Sequence, residues 1–299
     1  MPDHAHPFDS ISIIFNPNST GDAPGMAKEL HDELRERLPA DAVVELKPTE
    51  HAGHAVELAR EAAAKGHALV VSVSGDGGYN EVVNGVMVAD NPDAVCAVMA
   101  AGNANDHRRT TKRQPLADAI VEANVRRIDL LRLVTGDGPD AETHYAHSYI
   151  GFGLTPIVAI DIEKGGKGSL KEMVSVVRSF AKFQPFEIRH TNGKVRRIDS
   201  LLFANIPQMA KYAKLSEADE EPDDGRFEVV TFPHMPKWRV LLLALRSATI
   251  GLGHQPSHSS YEFSTLKPLP YQIDGEVKDV PAETRVRVEI AEGALPVVG

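Results

Sequence analysis

LVVSVSGDGGYNEVVNGV, residues 69–86, reads as three parts in succession. Leu69 to Val73 is a short, continuous, valine-rich apolar run, the pattern of a buried strand. It breaks at Ser74-Gly75-Asp76-Gly77-Gly78. From Tyr79 the apolar residues Val82, Val83, Val86 and Met87 recur three to four apart, which predicts a helix. Strand, glycine-rich turn and helix together offer backbone N–H groups and a positive helix end to an anion. Glycine lets the backbone approach a ligand closely. Asp76, in the middle of the turn, calls for a cation such as Mg²⁺ or a hydroxyl donor between its carboxylate and that anion. By itself the turn reads equally well as a tight bend with a capping aspartate.

Upstream and downstream the same alternation repeats. Ile11 to Phe15 reads as a strand that ends in the polar turn 16–21. Met26, Leu30, Leu34 and Leu38 follow at helical spacing until Pro39. Val43 to Leu46 is a second strand, and Thr49 to His54 leads into an alanine-rich helix closed by Gly66. Val95 to Met99 is a fourth strand, running out into 100–106. This order predicts a parallel sheet with helices on both faces. The turns at 16–21, 74–80 and 102–106 all follow strand C-terminal ends, the edge where open α/β sheets bind ligands.

After about residue 125 the pattern changes. Residues 128–133, 145–150, 186–190, 195–205, 226–232, 261–265, 271–273 and 284–290 are strand-like, with helical spacing only near 169–183 and 236–250. Such runs predict a mostly antiparallel β-sandwich. The expected domains are 1–126 and 127–299, and the last residues can return to the first. An exposed sandwich edge leaves a homodimer open.

The bulk properties narrow the function. A formal net charge of -10 argues against nucleic acid as a partner. His107 to Arg113 and Lys164 to Lys171 are basic islands, read as solvated loops or as contacts to phosphates or an anionic membrane. Cys96 is the one cysteine, so no disulfide framework exists. The first ten residues are polar and do not read as a signal peptide. No apolar run reaches the length of a spanning helix; Trp238 to Leu245 is too short. The expectation is a cytoplasmic protein that touches a membrane peripherally, with Trp238 and the 236–250 helix packed on the core. The pairs His51/His54 and His144/His147 have i,i+3 spacing without a Cys or carboxylate frame, so non-metal roles are expected.

Taken together the motifs resemble the diacylglycerol-kinase-type lipid kinase family. That family's pattern is G-G-D-G-T-x-x-E-x-x-N-G, then P-x-G-T-x-N-D-F, matched here by SGDGGYNEVVNGV and AAGNANDHRRT. Further matches are Phe15-Asn16-Pro17, Thr49 with Gly53-His54-Ala55, residues 223–227 (DDGRF) and Ile273-Asp274-Gly275-Glu276. The resemblance implies an N-terminal nucleotide-binding domain, a C-terminal β-rich domain and an active site between them. It implies an ATP site formed by Asn16, Thr49, Ser74, Gly75, Asp76, Gly77, Gly78, Tyr79, Asn80, Gly102 and Asn103. Asp76 would organise Mg²⁺ and the phosphates, with Asn105 and Asp106 supporting the turn. Glu276 would be the general base for a lipid hydroxyl, with Asp274 positioning it or the metal. A second, structural Mg²⁺ would use Glu221, Asp224 and the carbonyl of Arg226; a solvated acidic loop is the plain alternative. For Asp274-Gly275 the plain alternative is a hairpin turn.

The chain also departs from that pattern. Ser74 replaces its first glycine, Gly78 and Asn103 replace its two threonines, and Ala100 replaces its proline. His107 stands where an aromatic is usual, and residues 206–209 replace a glycine-rich stretch. Each hydrogen bond lost to a charged phosphate is worth about 1.5–3 kcal/mol. An ATP-dependent diacylglycerol or related lipid kinase is the first expectation. A relative that binds nucleotide or lipid without transfer is the second, and an activity gain in Gly78→Thr would separate them. A relative of the NAD kinases, which share the first glycine turn, is the third; Gly102 to Asp106 argues against it.

Overall fold

The computed structural model describes residues 6–19, 21–102, 105–110, 114–153, 184–206, 208–209, 213–214, 223–236, 238–239, 242–243, 246 and 251–299. The chain divides into two compact units, one of Met1–Asp129 with Glu292–Gly299, the other of Leu130–Ala291.

The first unit contains β1 (Ser10–Phe15), α1 (Ala23–Arg37), β2 (Val44–Pro48), α2 (His54–Ala63), β3 (Ala68–Ser74), α3 (Asp76–Ala89), β4 (Val95–Ala100), α4 (Asp106–Thr110) and α5 (Leu116–Val121). The strands run parallel in the order β2-β1-β3-β4. Leu69, Val71 and Val73 of β3 face a core shared with Leu30 and Leu34 of α1 and Ile120 of α5. The alternate residue Val70 is equally buried, because α2 and α3 cover the opposite face. Burial on both sides explains the unbroken valine run. Gly85 of α3 allows that packing: a Cβ there would lie 2.4 Å from the Val56 carbonyl oxygen of α2. Asp22 caps α1 by accepting from the Gly25 N–H at 3.1 Å.

The expected start of α3 at Tyr79 is three residues late. Gly75 is its N-cap, and the Tyr79 N–H donates to the Gly75 carbonyl at 3.0 Å. The glycine turn is therefore the helix's own first turn.

The chain leaves the first unit within β5 (Val125–Thr135) and returns within β17 (Arg285–Val298), whose Val297 pairs parallel with Cys96 of β4. In the second unit the described strands are β6 (Glu142–Ala146), β7 (Tyr149–Gly153), β8 (Phe186–His190), β9 (Val195–Ala204), β10 (Gln208–Met209), β11 (Ala213–Lys214), β12 (Phe227–Pro233), β13 (Ser257–His258), β14 (Ser260–Thr265), β15 (Leu269–Ile273) and β16 (Glu276–Val280). The pairings among β6–β9 and β12–β16 are antiparallel. The long β9 is the spine, pairing with β7, β8 and β12. Phe152, Phe203, Phe263 and Tyr271 meet ring to ring in its core.

Two expectations fail here. A single strand over 145–150 is two strands broken at His147-Ser148, for a reason given below. Trp238 does not pack on the core: it is 59% exposed. The stretch 169–183, Lys164 to Lys171 and part of 236–250 lie outside the described residues. No described helix is long and apolar enough to cross a membrane.

Candidate active site

In the first unit the turns that follow the strands interlock at the C-terminal edge of the sheet. The Thr49 N–H donates to the Phe15 carbonyl at 2.9 Å, which brings Thr49 beside Asn16. Asn16 folds its own turn by accepting from the Asn18 N–H at 2.8 Å. The Ala101 N–H donates to the Ser74 carbonyl at 2.9 Å. Gly75 and Gly102 pass so closely that a Cβ on Gly102 would lie 2.3 Å from the Gly75 Cα. A Cβ on Gly21 would lie 2.2 Å from the Ala101 carbonyl oxygen. Asn105, at φ +51°, accepts from the Gly102 N–H and donates back to its carbonyl, closing that turn.

Asp76 ties the two glycine turns together. Its carboxylate accepts from the Asp106 N–H at 3.1 Å and the His107 N–H at 3.4 Å, at the start of α4. It is only partly buried. The first-turn N–H groups of α3 lie outside the intrahelical ladder, as in any α-helix, and the Gly75 N-cap has no side chain to meet them; they stand at the positive end of a fourteen-residue helix. Glycines without Cβ, an uncapped helix start and a half-exposed carboxylate fit a phosphate chain with its cation.

Ser74 and Gly78 adjoin across the first turn of α3. A Cβ on Gly78 would lie 2.8 Å from both the Cβ and the Oγ of Ser74. A side chain at 78 would therefore require Ser74 to shift. The Ser74 hydroxyl donates to the Gly75 carbonyl at 3.0 Å and meets the Ser72 hydroxyl at 2.7 Å, at the lip of the turn.

Other expected nucleotide residues lie elsewhere. Tyr79 is 1% exposed and stacks tilted against the His107 ring, with centroids 5.5 Å apart. Asn80 is buried and its Oδ1 accepts from Asn84 at 3.1 Å. Helical periodicity turns both inward, so their side chains support the turn from the core. Asn103 lies outside the described residues.

In the second unit Asp274-Gly275 is a two-residue hairpin turn between β15 and β16, with φ +45° and +100°. Asp274 is fully buried. Its carboxylate accepts from three consecutive N–H groups, His147 at 2.7 Å, Ser148 at 3.0 Å and Tyr149 at 2.8 Å. Its Oδ2 also lies 3.3 Å from the His147 ring. Those N–H bonds bend the chain between β6 and β7. They direct both Asp274 oxygens into the backbone of 147–149 and so fix the hairpin that carries Glu276. Glu276 itself, opposite Ile273, is partly exposed.

Of the expected second metal site, Glu221 lies outside the described residues. Asp224 is exposed and its Oδ1 accepts from the Arg226 N–H at 2.9 Å, while the Arg226 guanidinium donates to Ser257. One side-chain-capped turn is what these two residues form together. His51 and His54 do have a carboxylate beside them, contrary to expectation: ligand atoms of His51, His54 and Glu57 lie within 4.8 Å of one another. However, His54 Nδ1 accepts from the Glu50 N–H at 3.0 Å, which puts the neutral ring's proton on Nε2. That tautomer does not ligate through Nε2.

Residues 10–133 match the sequence profile of the diacylglycerol kinase catalytic domain. The match covers β1 through most of β5 and thus every interlocked turn of the first unit. Over more of the chain, a Bacillus subtilis (strain 168) protein named diacylglycerol kinase is 27% identical across 280 residues, covering 88% of each chain. A Staphylococcus aureus (strain MSSA476) protein with a lipid-kinase name is 23% identical across 272 residues, covering 83% of each. A crystal structure of a diacylglycerol kinase from Bacillus anthracis str. Sterne has the same fold, with TM-score 0.68, 16% identity and 97% of both chains covered.

Proposed function

We propose that this chain is an ATP-dependent, Mg²⁺-requiring lipid kinase that transfers the γ-phosphate to a hydroxyl of diacylglycerol or a related lipid. Residues 1–126 would bind nucleotide and 127–299 the lipid. The observation that carries this reading is Asp76: a half-exposed carboxylate at an uncapped helix start, cross-braced to the second glycine turn. Mg²⁺ bound with ATP supplies charge neutralisation of the phosphates.

The chain's own residues do the rest. The N–H groups of Gly77 and Gly78 hold phosphate oxygens, and Asp76 holds the cation against them. Gly75 and Gly102 keep the approach clear. Asn16 and Thr49 bound the far side of the nucleotide. Glu276 accepts the proton of the attacking lipid hydroxyl. Asp274 holds Glu276 in place by anchoring the hairpin. The second reading, binding without transfer, rests on Gly78 and Asn103.

The test is ATP consumption with Mg²⁺ over diacylglycerol, monoacylglycerol, sphingoid bases and phosphatidylglycerol in mixed micelles, with Asp76→Ala alongside. Turnover on one lipid, absent in the variant, supports the kinase. Mg-ATP binding without turnover on any lipid supports the second reading.

A further inference from the structure

The strand β2 is an edge of the first unit's sheet. Among the described residues it pairs with β1 alone, in an unbroken parallel register from Ile11↔Val44 to Phe15↔Pro48. The Ile11 N–H donates to the Val43 carbonyl at 2.8 Å, and the Thr49 N–H donates to the Phe15 carbonyl at 2.9 Å. In that register the N–H groups of Glu45 and Lys47 turn toward β1. The N–H and C=O groups of Val44 and Leu46, with the Pro48 carbonyl, therefore turn outward along the edge.

Edges are commonly blunted by an unpaired lysine, a bulge or a proline. The register of β2 has no bulge. The Lys47 ammonium lies 2.9 Å from the Glu45 carboxylate, which cancels its charge. Pro48 lacks a donor only at the strand's last position. Leu46, at the centre, is 36% exposed.

The order of charges says what pairs here. Val44-Glu45-Leu46-Lys47-Pro48 is self-complementary about Leu46. A two-fold axis through Leu46 sets Glu45 opposite the partner's Lys47, and Lys47 opposite the partner's Glu45. Those are non-hydrogen-bonded positions, where facing side chains come closest. Leu46 meets the partner's Leu46 and exchanges both backbone bonds with it. Each Val44 N–H reaches the partner's Pro48 carbonyl. An axis through Glu45 or Lys47 would instead set like charges face to face.

We propose that two copies of this chain pair through β2, antiparallel, into one continuous sheet. The proposal does not rest on the kinase reading. Because the paired strands run in opposite directions, the glycine turns of the two copies point opposite ways.

The experiment measures the mass of the full chain by sedimentation over a wide range of concentration, for the wild type, Glu45→Lys and Lys47→Glu. Each reversal leaves positions 45 and 47 with one sign of charge. Both side chains are part-exposed, so both variants should melt close to the wild type. The wild type is expected to double its mass as concentration rises. Each variant alone should self-associate at least about tenfold more weakly, because like charges then face each other. Mixed in equal amounts, the two variants should pair, since each supplies the charge that the other lacks. Leu46→Cys should give a doubled band on a denaturing gel after a short bis-maleimide, while buried Cys96 stays unreacted.

A wild type that keeps a single mass at every concentration would overturn the proposal. So would a dimer that both reversals leave unmoved, or one that Leu46→Cys fails to cross-link, because another surface would then join the copies. Reversed chains that stay apart when mixed would also overturn it.

Discussion

Asp76 and Asp274 are both carboxylates in glycine-bearing turns at strand ends, and the structure uses them in opposite ways. Asp274 is fully buried and takes three consecutive N–H groups at 2.7–3.0 Å. Asp76 is partly exposed, and it accepts from the Asp106 and His107 N–H groups at longer range, 3.1 and 3.4 Å. A buried carboxylate satisfied by backbone donors is part of the architecture, because removing it strands those donors without water. A partly exposed one at a helix start keeps the capacity to take a cation. On the proposed reading, the same residue type serves structure in one unit and chemistry in the other, and burial decides which.

The largest effect that can break this contrast is Asp274→Ala. It orphans three buried N–H groups, at about 1–3 kcal/mol each. The second unit should fail to fold or melt at least 10 °C lower, as followed by near-ultraviolet dichroism and calorimetry. Next comes Asp76→Ala. Lipid-dependent turnover should disappear, while stability falls by about 1 kcal/mol, the scale of one lost cap. Third, Glu276→Gln should lower kcat by about 10²–10⁴-fold with little change in the KM for ATP. A large melting loss in Asp76→Ala or Glu276→Gln would mean that these residues, too, are architecture.

A subtler effect sharpens the account of the first turn. Gly78→Thr alone should cost about 1–3 kcal/mol through overpacking against Ser74. Ser74→Gly added to it should recover most of that loss, a coupling visible in a double-mutant cycle. Additive losses would mean that the two positions are independent.

The smallest effect is a pH dependence in the second unit. Burial, and then the nearby Lys278 ammonium, hold the His144 imidazole below its usual pKa. A folded pKa below the unfolded one means that the unfolded chain binds more protons. Stability from this residue is therefore present at neutral pH and lost as pH falls through about 6.5. His144→Asn should flatten that part of the melting profile between pH 7 and 5.

What the sequence makes legible follows from distance along the chain. The valine run, the glycine turn and the helix at 69–86 are local, and each announces itself by periodicity. The turns at 16–21, 74–80 and 102–106 fall at strand ends, so their shared edge can be read from strand order alone. The break at His147-Ser148 cannot be read, because its cause, Asp274, is more than 120 residues away. The shift that a side chain at 78 would require of Ser74 depends on a side-chain distance that no pattern carries. Tyr79 and Asn80 adjoin the motif in sequence, but helical rotation turns their side chains into the core. Trp238 looks like core because WRVLLLAL is apolar. Only the fold shows that its face is left outside.

Ligand-induced stabilisation measured on Asp76→Ala beside the wild type tests the central contrast most directly. Both proteins are melted with and without Mg-ATP. The account predicts similar melting without ligand. It predicts a gain of about 2.7 kcal/mol for the wild type at a hundredfold excess over Kd, and none for the variant. An equal gain in both would contradict it, because the carboxylate at the glycine turn would then have no part in holding the nucleotide.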